Sequence, residues 1–319
     1  MIEVLLEPLH YGYMRNALWA SAIAGGVCAF LSAYLMLKGW SLIGDALSHS
    51  VVPGVAGAYI LGLPYSVGAF ISGGLAAFSI LFITNRSPLR TDAVIGLIFT
   101  GFFSLGLFII SLSPASVNIE TIVFGNILAI SPFDMAQLLF ISVLTLVTLL
   151  FFWKDLMVVF FDETHARSIG LPITGLKVMF FALLSASTVV ALQTVGAFLV
   201  VAMVVTPGAT AYLMTDRFPN LIGISVAIGV VSSLIGVYAS YYIDGATGGM
   251  IILVQTTFFL LAFFFARKHG LFANRRRARL RLAQGRADSA GSLSTTNTAT
   301  HSNSSTGSNP GTDNRVHTP

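Results

Sequence analysis

Apolar residues dominate the chain from about position 14 to 266, in stretches separated by short polar, Gly or Pro breaks. Nine of them predict helices: Asn16–Leu37, Leu47–Leu63, Tyr65–Thr84, Asp92–Leu112, Met135–Phe152, Val178–Gln193, Val195–Leu213, Leu221–Tyr242 and Met250–Phe265. Each approaches the ~20 residues that cross a bilayer's hydrocarbon. Two borders are shallow. At Leu63-Pro64 and Gln193-Thr194 hydrophobicity barely dips, so each flanking pair is either one bent span or two short ones. The expected fold is an all-α polytopic membrane bundle of eight to nine helices, since a helix satisfies its own backbone in lipid. Small-residue pairs such as Gly25/Ala29, Gly54/Gly57 and Gly73/Gly74 fit close helix packing and carry no functional signal.

Composition supports lipid as the solvent. Charged residues are 9% of the chain and hydrophobic ones 55%, against about 25% charged in a soluble domain; the mean hydropathy is +0.84. Cys28 is the single cysteine, so no internal disulfide framework exists. Glu3 and Glu7 precede any positive charge, the wrong start for a cleaved signal peptide, so the first span is read as retained. Residues 1–15 are expected to form an external, amphipathic segment, 16–266 the transmembrane domain, and 267–319 a basic, then Ser/Thr/Asn-rich, disordered tail.

Charge sets the expected orientation. From Arg267 onward nine Lys/Arg face two acids, a charge of +7, while the rest of the chain carries −3. The run Arg275-Arg276-Arg277-Ala278-Arg279-Leu280-Arg281 should stay in the cytoplasm and touch anionic lipid. Counting back through nine spans puts Lys38, Arg86, Arg90, Lys154, Arg167, Lys177 and Arg217 on that same side, leaving only Arg15 outside. No aromatics interleave with the arginines, so nucleic acid is not an expected partner.

Four features carry candidate chemistry. Asp45 and His49 stand four residues apart on one helical face, and ionisable groups inside a membrane span are costly and rarely idle. Carboxylate and imidazole suit a divalent first-row metal such as Mn²⁺, Fe²⁺ or Zn²⁺; an Asp–His hydrogen bond locking two helices is the competing reading. Pro53 lacks an N–H, so the His49 carbonyl is expected to lose its helical partner and the helix to break. Pro207 predicts a second kink or break, four residues beyond Met203.

The third feature is the polar loop 154–177, with Phe161-Asp162-Glu163-Thr164-His165-Ala166-Arg167-Ser168-Ile169-Gly170-Leu171-Pro172 at its centre. Asp162 or Thr164 can cap a short helix and Gly170-Leu171-Pro172 can end it. Such a helix lying across the membrane face fits a docking element, or else an ordinary solvated loop. The fourth is Asp92, at the start of its span, read as a helix cap or a pathway group; Glu120, Asp244 and His165 are read as solvated. There is no G-x-x-x-x-G-K-[ST], H-E-x-x-H or G-x-S-x-G motif, so the chain lacks the P-loop nucleotide site and the common hydrolase sites.

The blocks Leu37–Gly54 (with Gly44-Asp45-Ala46-Leu47-Ser48-His49), Asp92–Gly96, Phe124–Leu128, Phe161–Pro172 and Val195–Met203 with Pro207 resemble the permease subunits of the metal-chelate ABC transporters, type II importers of manganese, iron and zinc. The resemblance spans about Glu7 to Ala266. It implies a multi-pass subunit of the bacterial inner membrane with a cytoplasmic C-terminus. It implies pairing with a second permease copy or paralogue, two cytoplasmic ATP-binding subunits below, and a periplasmic or lipoprotein metal-binding protein above. It places metal contacts at Asp45 and His49, and coupling to the ATPase at Asp162, Glu163, Ala166, Arg167 and Gly170. No permanent cofactor is implied; the cargo is a divalent metal, Mn²⁺ or Fe²⁺ favoured and Zn²⁺ the alternative, and ATP is used by the partner, so the chain itself is not an enzyme. The rivals are a secondary metal transporter driven by an ion gradient, a membrane enzyme using Asp45 and His49 as an acid–base pair, and a permease for metal–organic cargo.

Overall fold

A computed structural model describes residues 7–8, 10–40, 42–112, 127 and 130–265. The expected tail, residues 1–6 and 9 of the segment 1–15, Glu120 and most of the block around Phe124 lie outside the described residues. Among those described the regular structure is entirely helical: α1 (Gly12–Lys38), α2 (Ile43–Ser50), α3 (Val52–Leu61), α4 (Tyr65–Arg86), α5 (Thr91–Leu112), α6 (Pro132–Phe151), α7 (Trp153–Phe161), α8 (Glu163–Ser168), α9 (Ile173–Val195), α10 (Ala197–Met214), α11 (Phe218–Ile243) and α12 (Thr247–Phe265).

Eight of these helices are long and apolar enough to span a membrane. The remaining expected span is present in two pieces, α2 and α3, end to end. Both shallow borders resolve into separate elements. Gly62 ends α3 in the left-handed region, and Gly196, at φ +88°, separates α9 from α10 in a conformation that a side chain would strain.

Helices α1 and α9 are the most enclosed, while α5, α6 and α12 expose most of their surface. Helix α1 packs chiefly against α10 and α11. The contact with α11 is close because small residues line it: a Cβ on Gly25 would sit 2.8 Å from the Gly229 carbonyl oxygen, and Ser225 Oγ donates to the Ala29 carbonyl at 2.7 Å. Gly54 likewise meets Gly68 of α4, whereas Gly57 and Gly74 face open space, so only part of the small-residue pattern is packing. Large apolar side chains such as Leu97, Phe108, Phe140, Phe151 and Leu253 are exposed, an arrangement that water would penalise and lipid satisfies.

The expected break at Pro207 is a correction. Helix α10 runs on through it. A proline in a helix interior removes one N–H and crowds the turn before it. Here Ser32 of α1 reaches across: its hydroxyl donates to the Val205 carbonyl at 3.2 Å and accepts from the Gly208 N–H at 3.1 Å. Ser32 thus ties two backbone groups beside the proline to the neighbouring helix, and α10 continues through it.

At one end of the bundle Tyr34, Trp40, Phe160, Phe180, Phe181 and Phe218 form a connected aromatic cluster, with ring centroids 4.7–6.1 Å apart. Lys38, Arg86, Lys154, Arg167, Lys177 and Arg217 lie at or beside helix ends on this side, termed the basic end below.

Candidate metal pathway and coupling site

Helix α2 carries the acid–imidazole pair. Asp45 sits in its first turn and His49 in its last, the placements that the helix dipole favours for an acid and a base. Asp45 Oδ1 and His49 Nε2 are 3.4 Å apart, with side-chain exposures of 43% and 25%. That separation is longer than a good hydrogen bond. The two donors are not locked to each other and stand near enough to share one ion. Among the described residues no group of three or more His, Cys, Asp and Glu exists, so the chain offers two side-chain donors here.

The pair is held by the break behind it. Helix α2 stops at Ser50 and α3 begins at Val52 with Pro53 in its first turn. The Val51 N–H turns back to the His49 carbonyl, and Ser72 Oγ of α4 donates to the Ser50 carbonyl at 2.6 Å. Ser48 and Ser50 bond back to Gly44 and Ala46. The carbonyls freed near the proline are thus largely taken up locally.

Two neighbouring helices come very near. A Cβ on Gly106 of α5 would lie 2.9 Å from the Pro53 nitrogen, and one on Gly44 would lie 2.9 Å from Val204 Cγ1 of α10. The first approach lets α5 cross at the break and lay Phe99 and Phe103 edge-on against the His49 ring, both at 5.4 Å between centroids. The imidazole therefore has an apolar wall on one side and the Asp45 carboxylate on the other. Nothing in the sequence marked these two phenylalanines beyond an i,i+4 aromatic spacing common in membrane helices.

Asp92 is exposed in the first turn of α5. It lies seven residues from Phe99, about 10 Å along the axis, and is not joined to Asp45 and His49. Its position fits the favourable end of the α5 dipole.

The loop forms the expected short helix, α8. Asp162 caps it, its Oδ1 accepting from the Thr164 and His165 N–H groups at 2.9 and 3.1 Å. Gly170, at φ +78°, closes it, with Leu171 N–H returning to the Ala166 carbonyl at 3.1 Å. Ala166 is fully buried, whereas Asp162, Arg167 and Gly170 face outward, flanked by Phe161 and Ile169 at 81% and 55% exposure.

Glu163 points the other way. Its Oε1 accepts from Lys38 Nζ at the end of α1 and from Lys177 Nζ in α9, both at 2.8 Å. Burial pushes the Glu163 carboxyl up, but the hydrogen bonds and charges of Lys177 and Lys38 outweigh it and hold it below the ordinary carboxylate value. Sequence reasoning placed all three residues on one side of the membrane and did not join them.

The comparisons agree with this architecture. The profile of the ABC 3 transport family matches residues 10–266. The chain is 62% identical to the chelated iron transport system membrane protein YfeC of Yersinia pestis, covering 88% of this chain and 96% of that one. It is 46% identical to the manganese transport system membrane protein MntB of a Synechocystis species, covering 86% and 90%. Among solved structures it superposes on PsaBC from Streptococcus pneumoniae, in complex with Fab, with a TM-score of 0.75 and 36% identity over 84% of this chain and 98% of that one. With a family match over most of its length and close relatives aligned nearly end to end, the chain belongs to the ABC 3 transport family.

Proposed function

We propose that this chain is the permease subunit of an ATP-binding-cassette importer that carries Mn²⁺ or Fe²⁺ across the bacterial inner membrane into the cytoplasm. The observation that carries the reading is the Asp45–His49 pair, two donors 3.4 Å apart and partly exposed beside a helix break. One carboxylate oxygen and one imidazole nitrogen, with no thiolate beside them, favour Mn²⁺ or Fe²⁺ over the thiolate- and histidine-rich sites typical of Zn²⁺. The relatives named for chelated iron and manganese transport support the same cargo.

Two donors are too few to replace an ion's hydration. A second permease, a copy or a paralogue, meets this one at the exposed side of the pair and brings its own donors, while water fills the rest. Asp45 offsets part of the lost hydration by Coulomb attraction, and the small number of protein ligands keeps the site weak enough to release its cargo. The basic end faces the cytoplasm, as the positive-inside rule requires. There the outward face of α8, with Phe161, Arg167 and Ile169, rests on one of two ATP-binding subunits. ATP binding and hydrolysis in that partner rock the paired permeases between outward and inward openings. A periplasmic or lipoprotein metal-binding protein delivers the ion at the opposite end.

The test uses membrane vesicles containing the whole importer. Metal uptake is expected to stop when the partner ATPase is inactivated and to continue when proton and sodium gradients are collapsed. Uptake that follows the gradients and ignores the ATPase would identify a secondary transporter instead.

A further inference from the structure

We propose that Glu163 is a positioning residue that passes the movement of α8 to the Asp45–His49 segment by way of Lys38. The proposal rests on the permease reading above and gives its coupling step a specific atom. One carboxylate oxygen, Glu163 Oε1, holds two lysines from two different helices. The two contacts are unequal. Lys177 is almost fully buried, so its charge depends on Glu163 for compensation. Lys38 is three times as exposed and ends α1. The Glu163–Lys177 bond seats α8 on α9; the Glu163–Lys38 bond ties α8 to the chain that leads into the metal segment.

That chain is short. After Lys38, Gly39 turns at φ +69°, and the Trp40 N–H returns to the Leu35 carbonyl at 3.0 Å. The Trp40 ring packs against Phe160 of α7 and Phe181 of α9, at 5.7 and 5.5 Å between centroids. Helix α2 starts three residues later and carries Asp45 in its first turn. Six residues therefore lie between the lysine bound by α8 and the carboxylate proposed to meet the cargo, with no other long helix between them.

The surroundings leave space for a shift. A cavity of about 310 Å³ adjoins the triad, walled by Lys38, Trp40, Thr84, Asn85, Glu163 and Lys177. A close-packed interior resists small displacements; this void, whose walls also include Ile80, Leu81 and Phe181, leaves the lysine head groups and the Trp40 ring room to shift. The adjoining acid has a different task, because Asp162 is committed to the N–H groups of its own helix. Of the two consecutive acids, only Glu163 reaches another span.

The experiment uses the complete importer in proteoliposomes, with Mn²⁺ uptake and phosphate release measured in the same sample. Lys38→Gln removes the charge that Glu163 holds at the end of α1 and leaves the Glu163–Lys177 seat intact. ATP hydrolysis is expected to stay within about twofold of wild type, while Mn²⁺ carried per ATP falls fivefold or more; Lys38→Arg, which keeps the charge, is expected to restore the ratio. If Lys38→Gln lowers uptake and hydrolysis in parallel, or leaves the ratio at the wild-type value, the triad is a static brace and the proposal is overturned. If that variant does not assemble with its ATPase, Glu163→Asp replaces it: one methylene shorter, it cannot span both lysines, and a wild-type ratio there also overturns the proposal. A wild-type importer without ATP-dependent Mn²⁺ uptake would instead remove the permease reading itself.

Discussion

The Asp45–His49 pair and the Lys38–Glu163–Lys177 triad both join acids to bases in an apolar chain, and they are built differently. The Asp45–His49 pair is held at 3.4 Å, partly exposed, with aromatic rings on one side of the imidazole. The Lys38–Glu163–Lys177 triad closes at 2.8 Å on both arms around a buried lysine. The first is loose enough to admit an ion between its donors. The second joins three helices through one shared oxygen. Charge in a membrane protein is thus not one signal: spacing and burial distinguish a loose, partly exposed pair from a tight one that joins helices.

The sharpest way to break this contrast is to truncate each cluster and compare two readouts. His49→Ala is expected to abolish Mn²⁺ uptake, a loss of at least about 100-fold, with little change in the thermal midpoint of the purified permease. Glu163→Ala is expected to do more to stability, because it leaves Lys177 buried without a partner; losing a charged hydrogen bond costs about 1.5–3 kcal/mol, read as a lower unfolding midpoint in detergent. If His49→Ala unfolds the protein while Glu163→Ala leaves the midpoint unchanged, the assignment of roles is reversed. Acid gives a related check. The Glu163 carboxyl is held below its ordinary value, so the triad's contribution is fully present above about pH 4.3 and is lost only as pH falls further, through the lowered value.

A smaller effect is expected where α1 supports α10. Ser32→Ala removes both hydrogen bonds at Pro207, at a cost of about 0.5–1.5 kcal/mol for each bond. The loss should loosen the turn of α10 around Pro207, read as a modest fall in the midpoint and faster amide exchange around Gly208. An unchanged exchange pattern would show that the helix passes Pro207 without help from Ser32.

Much of this was legible in the sequence, and the rest was hidden for physical reasons. Hydrophobic runs located the long helices because lipid imposes a length on each crossing. The i,i+4 rule made Asp45 and His49 visible as a pair, and Pro53 marked the break because a missing N–H is a local property. Pro207 does not break its helix, and the hydrogen bonds beside it come from Ser32, more than 170 residues away in sequence. The sequence groups Glu163 with the coupling residues of its loop, yet its partners are 125 residues before it and 14 after. Long-range hydrogen bonds leave no periodicity to read, and the close approaches at Gly44 and Gly106 looked like ordinary membrane glycines.

The central claim is that Asp45 and His49 bind the cargo. It is tested most directly by electron paramagnetic resonance of Mn²⁺ titrated into the purified, paired permease without ATP. The account predicts a bound-ion signal that disappears in the Asp45→Asn, His49→Ala double variant while the helical circular dichroism is retained. An unaltered Mn²⁺ signal in a folded double variant would contradict it.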